Sequence, residues 1–247
     1  MNGTVYLIGA GPGDPRLITV AGLEALRNAD VVVYDSLIGK ELLNEAREGA
    51  ELIDVGKRGG DHKVRQEGIN EIIVAKAAEG KKVARLKGGD PFLFGRGGEE
   101  AGELRAAGLE VHVIPGVTSA ISAPALAGIP VTHREHASLV TFVTGHESED
   151  KDDEVINWSG LANLGGTIVI LMGMSRLGRN MTRLMEGGLD PDTPVAVVHS
   201  GSTPEQRSVL ATAATIEQRC REENIGSPAV VVVGSVASLH DVLGDLR

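Results

Sequence analysis

"KKVARLKGGDPFLFGRGGEE", residues 81 to 100, runs from a short strand-like segment directly into a loop carrying five glycines and closes on two acids. A brief apolar run cut off by glycine, with a helical pattern after it, is the unit from which the fold class follows. The same form recurs at "TVYLIGA" (4–10), "DVVVYDS" (30–36) and "LEVHVI" (109–114), and again at "SLVTFVTG", "GTIVILMG", "TPVAVVHS" and "SPAVVVVG" in the second half. Between such runs lie helical patterns. In residues 67–79, Ile69, Ile72, Ile73 and Ala77 form a stripe at helical spacing that Gly80 stops. Unbroken apolar strands joined by helices predict an α/β chain with mainly parallel sheets covered on both faces.

The segment 113–138, "VIPGVTSAISAPALAGIPVTHREHAS", is crowded with small residues, glycine and proline and holds no long strand. A junction there divides the chain into two α/β domains, residues 1–119 and 120–247. The acidic stretch 146–154, "HESEDKDDE", reads as a solvated loop.

With 34 acids, 24 bases and six aromatic residues in 247, the chain has a formal charge of −10 and little with which to stack bases, so nucleic acid is excluded as a partner. Residues 1–134 hold 16 bases and 18 acids, residues 135–247 only 8 and 16, so an anionic ligand belongs with the first half. The single cysteine, Cys220, allows no internal disulfide and no cysteine metal site. No apolar run approaches the roughly 20 residues that span a bilayer, and the first thirty residues read as strand, loop and helix rather than a signal peptide. A cytoplasmic protein without a membrane partner is expected.

The glycine loops suggest phosphate, and the residues around them argue against it. In "GAGPGDP" (9–15) the dinucleotide fingerprint would need its third glycine where Asp14 stands, and Pro12 lacks an N–H that a pyrophosphate would seek. Asp35, 22 residues after Gly13, is the one feature in favour of a nicotinamide cofactor, as a ribose-binding acid. No stretch has the spacing of a P-loop. Asp90, Glu99 and Glu100 would repel phosphate oxygens. They suit a ligand with cationic groups approached closely by the backbone at Gly88 and Gly89, and S-adenosylmethionine, with its ammonium and sulfonium, is such a ligand.

Taken together and in order, "GAGPGDP", "LKGGDPFLFGRGGEE", "PGVTSA" and "GIPVTHR" resemble the tetrapyrrole methyltransferase family, and the likeness runs from Val5 to about Leu239. The resemblance implies two α/β domains with the cofactor in the cleft between them, a homodimer, and no metal. It implies transfer of two methyl groups from S-adenosylmethionine to carbons 2 and 7 of uroporphyrinogen III, giving precorrin-2 for sirohaem and corrinoid synthesis. Some relatives carry an additional dehydrogenase and chelatase domain, for which 247 residues are expected to leave no room.

By the same resemblance the cofactor is held by Pro12, by Gly88, Gly89, Asp90 and Leu93, by Thr118 and Ser119, and by Met172 and Gly201. Several of these act through backbone atoms. On the residues alone, Gly88 and Gly89 also fit a tight turn, and Met172, at the end of an apolar run, also fits core packing. His133 and His136 have no third clustered ligand for a metal.

The substrate has eight carboxylates, and fixed two-pronged cations suit them. Arg96 and Arg134 stand in the two most distinctive motifs. Lys57, Arg58, Lys63 and Arg65 form a looser basic stretch that could cover the substrate's rim or simply be solvated. A proton must also leave the ring system, so a carboxylate is useful there; Glu99 or Asp35 is the candidate, and Glu99 could instead orient Arg96 one helical turn away. Rival readings are a sister methyltransferase acting on a later precorrin, the related diphthine synthase, and a non-catalytic nucleotide-binding module.

Overall fold

The computed structural model describes residues 3–56, 66–146 and 155–247. The chain divides into two compact units, Met1–Thr118 and Ser119–Arg247.

The first unit is a five-stranded sheet built from β1 (Thr4–Gly9), β2 (Val31–Tyr34), β3 (Glu51–Asp54), β4 (Val83–Lys87) and β5 (Glu110–Ile114), with helices α1 (Val20–Arg27), α2 (Gln66–Ala78) and α3 (Gly97–Ala106). Strand order is β3-β2-β4-β1-β5 and every pairing is parallel. The alternation of side chains splits its core in two. Val5, Leu7, Val31, Val33, Val83 and Val111 face Ile69, Ile73 and Ala77 of α2 and Leu104 of α3. Ile8, Val32, Ala84 and Leu86 point the other way, to Leu26 of α1 and Leu42. The predicted stripe therefore forms α2, and Ile73, fully buried, would cost about 2–5 kcal/mol if cut to alanine.

All four loops that follow β1, β2, β4 and β5 leave the C-terminal edge of this parallel sheet. Neighbouring strands β1 and β4 send their chains to opposite faces, β1 into α1 and β4 into α3. That divergence is the topological switch point where open α/β sheets bind ligands.

The second unit contains α4 (Ser119–Leu126), β6 (Val140–Thr144), α5 (Trp158–Leu164), β7 (Thr167–Leu171), α6 (Leu177–Glu186), β8 (Pro194–His199), β9 (Arg207–Thr212), α7 (Ile216–Glu222), β10 (Ala229–Val233) and α8 (His240–Leu243). Its sheet runs β6-β7-β10-β8-β9. This second sheet is mixed: only β6–β7 is parallel, while β10 pairs antiparallel with both β7 and β8, and β8 with β9. Among the described residues five of the eight strand pairings are parallel, four of them in the first sheet. The unbroken valine runs of β8 and β10 report burial of both faces, and burial carries no information on strand direction. One face packs on Leu177, Met181 and Leu184 of α6 and Ile216 and Cys220 of α7; α4 lies against β10 and β7.

Candidate active site

The glycine motifs of the first unit converge, and they do so on one another. Gly89 N–H donates to the Gly11 carbonyl at 2.7 Å and Gly11 N–H returns a bond to the Gly89 carbonyl at 3.2 Å. A Cβ on Gly116 would sit 2.3 Å from the Gly89 oxygen and 2.6 Å from Gly9 Cα, so three backbones cross where no side chain fits. Gly89, with φ of +66°, also occupies the left-handed region. The amides a phosphate would need are thus used between loops. The dinucleotide reading fails on a second count. Asp14 accepts from Arg16 N–H at 2.8 Å to cap the short helical turn Pro15–Leu17, and α1 starts only at Val20, its N-terminus capped by Thr19.

Asp90 is bonded within the loops. Its carboxylate is turned into the loops: Oδ1 accepts from the N–H groups of Phe92 (2.8 Å) and Leu93 (3.1 Å), and Oδ2 from Gly116 N–H (3.0 Å). It ties the second glycine loop to the third rather than offering a free anion to a ligand's ammonium. Leu93 is half-buried within that turn.

Six non-glycine residues among those described have positive φ, and five lie in loops that follow β4, β7 and β8: Phe94, Arg96, Met172, Ser200 and Ser202. Each such residue costs about 1–2 kcal/mol, and strain of this kind gathers at binding sites. Met172, just past β7, is 53% exposed, which removes the core-packing alternative. Gly201 stands against α4, where a Cβ would come within 2.3 Å of Ala123 Cβ. Thr118 ends the first unit and Ser119 opens α4; Pro12, Gly88, Thr118 and Ser119 are all half-buried. Leu37, Phe92 and Phe94, at 65%, 56% and 39% exposure, add apolar surface to the loops after β2 and β4.

The charged candidates fall into different settings. Arg96 stands at the N-cap position of α3 without a side-chain capping bond, and its guanidinium lies 2.6 Å from the Glu99 carboxylate, as the three-residue spacing predicts. That guanidinium holds the Glu99 carboxyl below the usual range, so Glu99 stays ionised and engaged. Asp35 follows β2; its Oδ1 accepts from Leu37 N–H at 3.0 Å, and Arg85 Nη2 is 3.7 Å from its Oδ2. Arg134 is exposed at the tip of a small turn closed by paired His133–Ala137 backbone bonds of 2.9 Å. His133 and His136 stack edge to face, centroids 5.0 Å apart, and His133 Nδ1 accepts from Glu135 N–H. Among the described residues no group of three His, Cys, Asp or Glu side chains could hold a metal, and no helix is long and apolar enough to cross a membrane. Lys57, Arg58, Lys63, Arg65 and all of the acidic stretch except His146 lie outside the described residues.

The sequence reading passed over Arg85, Lys87 and, beyond its charge, Glu100. All three are buried, and the available signal was two cations alternating with Ala84 and Leu86 in a central strand.

Residues 4–217 match the family described as tetrapyrrole (corrin/porphyrin) methylases. The chain belongs to that family. Among relatives of this methylase, the S-adenosyl-L-methionine-dependent uroporphyrinogen III methyltransferase of Methanosarcina barkeri is 53% identical over 99% of this chain and 96% of its own. Among solved structures, the uroporphyrin-III C-methyltransferase of Thermus thermophilus complexed with S-adenosylhomocysteine superposes with a TM-score of 0.82 at 34% identity, covering 99% of both chains. A cobalt-precorrin-4 methyltransferase of cobalamin biosynthesis gives 0.84 at 31% identity over 95% of each.

Proposed function

We propose that this methylase transfers two methyl groups from S-adenosylmethionine to carbons 2 and 7 of uroporphyrinogen III, producing precorrin-2 for sirohaem and corrinoid synthesis. The observation that carries the reading is the 53% identity, across almost the whole chain, to a uroporphyrinogen III methyltransferase. A later precorrin as substrate has the weaker support of 31% identity. The same reading takes the protein as a cytoplasmic homodimer.

Bound S-adenosylmethionine supplies an electrophilic methyl group on a positively charged sulfur. Pro12, Gly88, Gly89, Leu93, Thr118, Ser119, Met172 and Gly201 hold it, largely through backbone groups of the loops described above, and Asp90 acts by fixing two of those loops. The fit rests on the strained, partly exposed backbone of these loops and on the apolar side chains beside them.

Arg96 and Arg134 receive substrate carboxylates, with Glu99 orienting Arg96. Each new carbon–carbon bond takes its electron pair from the electron-rich pyrrole carbon, and the carbon–sulfur pair leaves with sulfur. A proton is then lost from the tetrapyrrole, and its bonding pair returns to the ring system. Asp35 accepts that proton, since Glu99 is committed to Arg96 while Asp35 stands at the open edge of the sheet. Alignment and exclusion of water do the remainder.

The deciding experiment incubates the protein with S-adenosylmethionine and enzymatically prepared uroporphyrinogen III and follows absorbance and product mass. A gain of two methyl groups supports the reading. Turnover only with an already methylated precorrin would replace it, and light scattering decides the dimer.

A further inference from the structure

Four ionisable side chains meet at the C-terminal edge of the first sheet, on the face covered by α2 and α3. Arg85 and Lys87 lie two residues apart on β4 and are 3% and 5% exposed; Glu100, in the first turn of α3, is completely buried. Lys87 Nζ lies 2.9 Å from Glu100 Oε1, the oxygen that also accepts from Gln66 Nε2 at 2.8 Å. Arg85 Nε is 3.6 Å from the same oxygen, and Arg85 Nη1 donates to the Leu86 carbonyl at 3.2 Å. Arg85 then reaches Asp35, the only member with a solvent-facing side chain, at 26% exposure.

Two buried cations against one buried anion leave an uncompensated charge, which costs several kcal/mol in a protein interior. The Asp35 carboxylate brings the sum to zero. The inner trio is also poorly arranged for its own stability, because Arg85 Nε and Glu100 Oε2 are buried without a hydrogen-bond partner among the described residues. Apolar residues of similar volume would serve the core better. What the charged trio provides is a fixed positive field at one carboxylate. Burial, then Arg85, pull the Lys87 ammonium below the usual lysine range, while Glu100 and Asp35 oppose them. Two further carboxylates stand nearby: Glu99, whose charge interacts with Lys87, and Asp54 on β3, which is paired in register with Tyr34 of β2 and accepts from Gly56 N–H through its Oδ1.

We propose that Arg85, Glu100 and Lys87 form a positioning device for Asp35, orienting its carboxylate at the sheet edge and presenting it with their net positive charge. The inference rests on Asp35 as proton acceptor, and its test is built to separate the two.

Glu100→Gln removes a negative charge and should move the acid limb of the kcat profile, and the Asp35 carboxyl titration, to lower pH by about half a unit or more. Lys87→Met removes a positive charge and should move both to higher pH by a similar amount. Lys87→Arg should restore the wild-type values, and affinity for S-adenosylhomocysteine should be unchanged in all three. The Asp35 titration is read by carboxyl-carbon NMR, assigned by the resonance that Asp35→Asn deletes. Opposite shifts in two folded variants support the device, whereas shifts of one sign, or none, overturn it. If Glu100→Gln does not fold, the contrast between Lys87→Met and Lys87→Arg decides alone. Full kcat in Asp35→Asn would instead remove Asp35 as the acceptor, while the NMR titration would still judge the device.

Discussion

Replacing Asp90 by asparagine cuts one bond in the loop assembly and leaves its neighbours in place. The asparagine oxygen can still accept from the Phe92 and Leu93 amides, but its NH2 group then faces Gly116 N–H, setting donor against donor where Oδ2 now accepts at 3.0 Å. A bond to a charged acceptor contributes about 1.5–3 kcal/mol, which is the expected loss for Asp90→Asn. Asp90→Ala removes the acceptor for three amides. Phe92 is 56% exposed and its amide can recover water, so the cost should reach about 2–4 kcal/mol rather than three full bonds. Urea denaturation reads the stability, and calorimetric titration with S-adenosylhomocysteine reads the loops. Affinity should fall about tenfold or more in the asparagine variant as the second and third loops lose their tie. An asparagine variant indistinguishable from the parent in both measurements would refute the clamp, and so would one as damaged as the alanine variant.

Gly116→Ala should destabilise by about 1–3 kcal/mol or more and abolish cofactor binding, because its Cβ would lie 2.3 Å from the Gly89 oxygen; thermal melts and calorimetry check it. Arg96→Ala and Arg134→Ala should each lower kcat/KM by about 30-fold or more while S-adenosylhomocysteine still binds, with lysine rescuing only in part because it loses the two-pronged geometry. Equal losses of activity and cofactor affinity would return both arginines to structural roles. Burial pushes the Cys220 thiol up to about 11, so a chromogenic disulfide should leave it untouched in the native protein from pH 7 to 9. Since its folded value exceeds the unfolded one, its contribution to stability is complete below about pH 9 and is lost as pH rises toward 11.

Sequence patterns revealed the apolar strands, the partly buried β5 and β6 among them, and hid the half-polar β3 and β9. Ala229–Val233 is recognisable because four valines crowd a short run before a glycine, and Val83–Lys87 because a short strand-like run is cut off by a glycine pair. Glu51–Asp54 is a half-polar strand at a sheet edge, and Arg207–Thr212 mixes polar and apolar positions, so neither gives a strong signal. Strand direction in the second sheet was equally hidden, since β10 and β8 are buried on both faces whichever way they run. At the site, motif spacing brought out the glycine loops and the Arg96–Glu99 pair. It could not show that Asp90 is spent on backbone amides, because an aspartate after two glycines looks the same whether it faces a ligand or its own turn. Glu99 and Glu100 are adjacent and identical in type, yet one is exposed and the other entirely buried, and only the phase of α3 separates them.

The contrast between the two sheets bears on how the chain assembles during synthesis. In the second unit β8 and β9 are separated by only seven residues and can pair as a hairpin as soon as both have emerged. The first sheet has no such local route. Its central strand β1 pairs Val5 with Val83 and with Val111, so β1 must wait for nearly eighty further residues before it finds any neighbour. Closing loops of that length before any contact rewards them is slow. Until then "TVYLIG" is an unsatisfied apolar edge on the nascent chain, open to the wrong partner. Slowed translation after residue 30, where β2 also waits for β4, should therefore lower the yield of soluble protein more than the same delay placed within the β8–β9 hairpin.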